Sequence, residues 1–171
     1  MTARLLLRPR RVEEADVYRR LWTERDPRVP DHRRIDASGQ PDLAAIAAYL
    51  RTEQEGPGLG LLAVLRKDVG DVVGYCGLVT TGNGSPEEPE LAFELLSHVH
   101  GSGYATEAGG AVVAWADRAG HERLWAGVRA WNIASRRVLV KLGFRESGQV
   151  ERDPVHGDSL LMVRTAGRAS R

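Results

Sequence analysis

Cysteine is almost missing from this sequence of 171 residues: Cys76 stands alone. With one thiol no internal disulfide can form, and a reducing compartment is permitted. Set between Tyr75 and Gly77 in a strand-like run, Cys76 reads as a small core residue rather than a nucleophile. Lysine is scarce too. All of the 24 basic residues but Lys67 and Lys141 are arginine, which reads as the codon bias of a GC-rich bacterial genome. Neither sign of charge is in excess, since 24 basic against 23 acidic residues leave a net +1. That is no footprint for nucleic acid. No apolar run approaches the roughly 20 residues of a membrane span, and the first residues lack a signal-peptide core. The expectation is a cytoplasmic protein without nucleic-acid or membrane partners. Its length suits one compact domain, residues 1–171, with no repeat or linker and a frayed tail from Thr165 to Arg171.

What is present is a run of alternating strand and helix signals. Leu5-Leu6-Leu7 reads as a first strand, and Val12 to Trp22 as a helix with Glu13, Glu14 and Asp16 in its first turn. Residues 26–41 hold three prolines and many charges and read as a loop or broken helix. Asp42 caps a helix that runs through Gln54 and stops before Gly56-Pro57-Gly58. Leu61 to Arg66 and Val72 to Val79 are strands around a turn at Asp68, Gly70 and Asp71. The acidic run Glu87-Glu88-Pro89-Glu90 is either a solvated edge or a lure for a cationic acceptor. Arg123 to Val128, Phe144 to Val150 and Ser159 to Val163 complete the strands, with a turn at His156-Gly157-Asp158.

One stretch organises the rest. From Glu90 to Leu95 the chain alternates, with Leu91, Phe93 and Leu95 on one side and Glu90, Ala92 and Glu94 on the other. From Tyr104 the period becomes helical, and Ala105, Ala108, Val112, Trp115, Ala116 and Ala119 form an apolar face. Between them Gly101-Ser102-Gly103 opens onto the helix N-terminus. Free N–H groups and the positive end of the helix dipole make such a turn an anion cradle. The pattern alone fits an empty tight turn equally well. No Lys-Ser/Thr pair follows the glycines, and Thr106 stands where a dinucleotide fingerprint needs Gly or Ala.

These residues resemble a known family. His98 to Ala108 is similar to the acyl-CoA pyrophosphate loop of the GCN5-related N-acetyltransferases (GNAT), in the branch of the ribosomal-protein N-terminal acetyltransferases. His98 takes the place where that loop usually has Arg or Gln. A second block, Asn132 to Ser135 with Lys141-Leu142-Gly143-Phe144, resembles the family's Asn-x-x-Ser helix ending in Lys-Leu-Gly-Phe. The resemblance spans about 5–164. It implies an α/β (α+β) single-domain fold: a mixed, mostly antiparallel central sheet, splayed at its middle strands, with helices on both faces.

The resemblance also implies acetyl transfer from acetyl-CoA, as co-substrate, to a primary amine, by a monomer or homodimer. The loop from His98 through Val99, His100, Gly101, Ser102, Gly103, Tyr104 and Ala105 to Thr106 would hold the pyrophosphate. Leu95 and Leu96 would carry the pantetheine arm, with a backbone N–H there for the oxyanion. Asn132 and Lys141 would also bind the cofactor. Ser135 would bind it too and act as general acid to the thiolate, since Val138, Leu139 and Val140 offer no hydroxyl on that helix. A helical serine can instead bond back to a carbonyl, and Asn132 can simply be an N-cap. Glu94 would face the acceptor, as a base through water or as an orienting charge. His98 and His100 have no third ligand nearby, so no metal is expected. Two alternatives stay open: a longer acyl-CoA, and a catalytically silent acyl-CoA-binding module.

Overall fold

A computed structural model describes residues 2–55, 59–80 and 82–167, without the side chains of Gln54 and Glu55. Seven strands form one sheet in the order β1-β2-β3-β4-β5-β7-β6. They are β1 (Leu5–Pro9), β2 (Leu61–Arg66), β3 (Val72–Val79), β4 (Glu90–Leu95), β5 (Arg123–Arg129), β6 (Arg145–Glu151) and β7 (Ser159–Thr165). Every neighbouring pair is antiparallel except β4 and β5, which are parallel and joined through one pair, Glu90 and Trp125. The splay expected from the resemblance lies here.

Among the described residues four α-helices cover the sheet: α1 (Ala15–Glu24), α2 (Leu43–Glu55), α3 (Tyr104–Ala119) and α4 (Ile133–Lys141). Alternation along β4 divides them. Leu91 and Leu95 face a core with Ala108, Val112, Val113 and Ala116 of α3 and Leu139 of α4. On the other face, Tyr18 and Leu21 of α1 and Ile46 and Leu50 of α2 pack around Leu96 and Tyr75. Cys76 is fully buried in the first core, which pushes its thiol up to about 12. It stays protonated at neutral pH.

Several boundaries differ from the sequence pattern. Val12–Glu14 forms a 3₁₀ turn, and α1 starts at Ala15. Residues 26–41 are a loop with one short 3₁₀ turn, Asp31–Arg33. Asp42 does cap α2, its carboxylate accepting from Ala45 N–H at 2.8 Å. The expected helix stop at Gly56-Pro57-Gly58 lies outside the described residues, as do residues 168–171 of the expected frayed tail. Thr165 is not frayed: it pairs with Arg123 on β5, and Ala166 N–H bonds to Glu122 C=O at 2.8 Å. On α3 the buried face includes Gly109 and Val113, while Trp115 is nearly half exposed. A Cβ on Gly109 would come within 2.5 Å of Leu142. Close approach of the segment after α4 therefore rotates the helix away from the face that residue size alone suggests.

Candidate active site

The splay has a definite cause. Trp125 N–H bonds to Pro89 C=O at 3.0 Å. The next amide that could continue the ladder, Gly127 N–H, instead donates to the Glu90 carboxylate at 2.9 Å. The other Glu90 oxygen accepts from Asn83 N–H at 3.0 Å. Beyond this side-chain wedge the two strands no longer pair. Glu88 also serves β5, accepting from Arg123 and from the Trp125 indole at 2.9 Å. Two carboxylates of the acidic run thus position β5, which the sequence reading did not anticipate.

Strand pairing on the other side of β4 decides which backbone groups face the gap. Leu96 N–H bonds to Val73 C=O at 2.8 Å, so it is spent on β3 and does not face the gap. In an antiparallel ladder successive residues turn their N–H and C=O groups to opposite sides. With β3 and β4 in unbroken register, Leu91, Phe93 and Leu95 therefore turn theirs toward β5. The Leu95 carbonyl accepts from His100 Nε2 at 2.7 Å, which requires a proton on that nitrogen. The Leu95 N–H remains directed into the gap.

Below the gap lies the glycine turn. Gly101 and Gly103 both have left-handed backbones, φ 80° and 81°, which disfavour any side chain. Among the described residues, the amides of Gly101, Gly103, Tyr104, Ala105 and Thr106 find no backbone partner outside α3. Ser102 N–H reaches Val99 C=O at 3.4 Å, and within α3 Glu107 N–H bonds back to Gly103 C=O at 3.0 Å. This row of donors at a positive helix end suits a pyrophosphate. Val99 is buried and anchors the turn, whereas His98 and Ser102 are exposed.

Ser135 sits in the first turn of α4, which begins just beyond the end of β5. The Asn132 side chain caps that helix, accepting from Ser135 N–H at 3.1 Å. Among the described residues the Ser135 hydroxyl has no hydrogen-bond partner, whereas Thr23 and Thr52 bond back to carbonyls of their helices. Lys141, exposed at the far end of α4, precedes the Leu142 that packs on Gly109 of α3. The helix ends as its sequence suggests, with Gly143 left-handed at φ 86°.

Glu94 lies on the opposite face of β4 from the core. Arg25 grips it through two bonds, Nε to Oε1 at 2.8 Å and Nη2 to Oε2 at 2.7 Å, and the Tyr75 hydroxyl donates to Oε2 at 2.8 Å. Burial alone pushes the carboxyl up, but Arg25 and Tyr75 outweigh it and hold Glu94 below the ordinary carboxylate range. It stays ionised at neutral pH. Behind this cluster a cavity of about 320 Å³ opens between α1 and α2, lined by Tyr18, Trp22, Arg25, Tyr49 and Tyr75 among others. The sequence reading missed Arg25 and Tyr75. Arg25 follows the end of α1 in an arginine-rich chain, and Tyr75 meets Glu94 only through the β3–β4 register.

The profile of the acetyltransferase (GNAT) domain matches residues 4–145, and the chain belongs to that family. An uncharacterised N-acetyltransferase, p20, of Bacillus licheniformis is 27% identical over 154 residues, covering 86% of this chain and 82% of its own. A GNAT-family acetyltransferase of Bacillus anthracis superposes with a TM-score of 0.77 at 17% identity, over 96% of each chain. A protein of Vibrio cholerae assigned as a ribosomal-protein-serine acetyltransferase does so with 0.74 at 15% identity, over 97% of this chain and 96% of its own. At such identities the superpositions show the fold.

Proposed function

We propose that this protein transfers an acetyl group from acetyl-CoA to a primary amine by direct attack, in the cytoplasm. The observation that carries the reading is the wedge at Glu90. It opens β4 from β5; the Leu95 amide is turned toward that gap, the glycine turn follows β4 in the chain, and α4, with Ser135 in its first turn, follows β5. Bound acetyl-CoA supplies the activated thioester. The amides from Gly101 to Thr106 bind its pyrophosphate, and the strand groups facing the gap take its arm. The Leu95 N–H steadies the oxyanion. Ser135 gives its proton to the departing thiolate, helped by its place at the positive end of α4, and the proton lost by the acylated nitrogen restores the hydroxyl through water.

Glu94 is too well satisfied to remove a proton from an ammonium. Its role in this reading is to hold Arg25 and Tyr75 as the wall of the acceptor side. The amine must then arrive neutral by its own pKa. An α-amine near 7.7–8.0 is roughly 10% or more neutral at pH 7, whereas a lysine side chain near 10.4 is below ~0.1%. A protein N-terminus or a small molecule with an amine of similar acidity fits. The test is a panel of amines and peptides with acetyl-CoA, followed by release of free thiol. If no acceptor in the panel gives thiol release although acetyl-CoA is bound, the reading changes from an enzyme to a binding module.

A further inference from the structure

We propose that Arg4, with Thr2, completes the cofactor cradle by cancelling the charge of Glu107. The proposal rests on the acetyl-CoA reading above. Glu107 lies in the first turn of α3, directly after the amides that would hold the pyrophosphate. An anionic side chain there suits an empty helix N-terminus, but it repels a second anion at the same place. The residues just before β1 bring four donors to it. Oε1 accepts from the Thr2 hydroxyl at 2.6 Å and from Arg4 N–H at 2.8 Å. Oε2 accepts from Arg4 Nε at 2.7 Å, with Arg4 Nη2 at 2.6 Å.

The same guanidinium binds the glycine turn itself. Arg4 Nη1 donates to the Ser102 carbonyl at 3.0 Å, and the guanidinium lies 4.6 Å from the centre of the Tyr104 ring. Its side chain is half exposed, whereas that of Glu107 is only 17% exposed. The cation therefore stands on the solvent side of the carboxylate. Where the family's loop has Arg or Gln this chain has the exposed His98, and Arg4, held by Glu107 and the Ser102 carbonyl, is a fixed positive charge beside the cradle. It is a positioning residue: it acts on the phosphate through Glu107 and the loop.

Charge cancellation and plain tethering predict opposite results for one variant. Calorimetric titration of CoA into the full chain, at low and high salt, compares Arg4→Gln, Glu107→Gln, Arg4→Lys and the Arg4→Gln/Glu107→Gln double variant. Under the proposal Arg4→Gln weakens CoA about tenfold, and the gap shrinks with salt. Glu107→Gln binds at least as tightly as the unaltered chain, Arg4→Lys stays close to it, and the double variant recovers most of the loss. If Glu107→Gln weakens CoA as much as Arg4→Gln, and the double variant is no better, the contact is only a tether and the proposal is overturned. Should Arg4→Gln fail to fold, Glu107→Gln and Arg4→Lys carry the same test. Absence of CoA binding by the unaltered chain would instead remove the acetyl-CoA reading itself.

Discussion

Glu94 and Arg25 meet side by side, two nitrogens on two oxygens at 2.8 and 2.7 Å, although 69 residues separate them in the chain. The Arg25 side chain is only 10% exposed. Glu94→Gln would strand a nearly buried cation, and the expected cost is on the order of 2–3 kcal/mol. The pH dependence has a definite sign. Because folding lowers the Glu94 pKa, its contribution is complete above the unfolded value, about 4.3, and fades as pH falls through the folded one. Thermal melts should show a constant gap between the two forms from pH 6 upward that narrows in acid. A gap that widens in acid contradicts the assignment.

The same pair bears on catalysis. Glu94 stays ionised throughout the neutral and alkaline range, so the ratio of kcat/KM between the unaltered enzyme and Glu94→Gln should be constant from about pH 6.5 to 9. The measurement needs one α-amine substrate. Selective rescue of Glu94→Gln at high pH would make Glu94 the base after all.

Among the described residues the Ser135 hydroxyl has no partner, and its backbone is fixed by the Asn132 cap. Ser135→Ala should lower kcat by roughly 10²-fold, in the range of general-acid effects, and leave acetyl-CoA affinity nearly unchanged. Single-turnover kinetics with a calorimetric Kd separates the two. Unaltered turnover would return the serine to a structural role.

The cradle depends on backbone shape more than on side chains. Gly103→Val, at φ 81°, should damage CoA binding far more than Ser102→Ala, which leaves every amide in place. Titration of CoA into both variants, with folding checked by circular dichroism, decides this. Equal affinities would take the glycine turn out of the argument.

Acceptor choice follows from the absence of a strong base in the reading. Peptides with a free α-amine and a blocked lysine should be acetylated in preference to the reverse pair at pH 7, and the preference should diminish as pH rises toward 9. Mass spectrometry locates the acetyl group. A preference for the lysine side chain at neutral pH would mean that some group does remove the proton.

The sequence by itself determined what is local. Period two from Glu90 to Leu95, two glycines, and a helical period from Tyr104 are short-range instructions, and β4, the turn and α3 follow them. Asp42 and Gly143 likewise mark helix ends through their own side chain or its lack. The tertiary structure decided everything that depends on register between distant strands. Only the β3–β4 pairing puts Tyr75 beside Glu94, turns Leu95 N–H into the gap and withdraws that of Leu96. Only the approach of β5 gives Glu90 an amide to capture, and only the placement of the segment before β1 brings Arg4 to Glu107. A residue's charge and propensity are written at its own position. Its partner is set by the closure of loops tens of residues long, which no local pattern encodes.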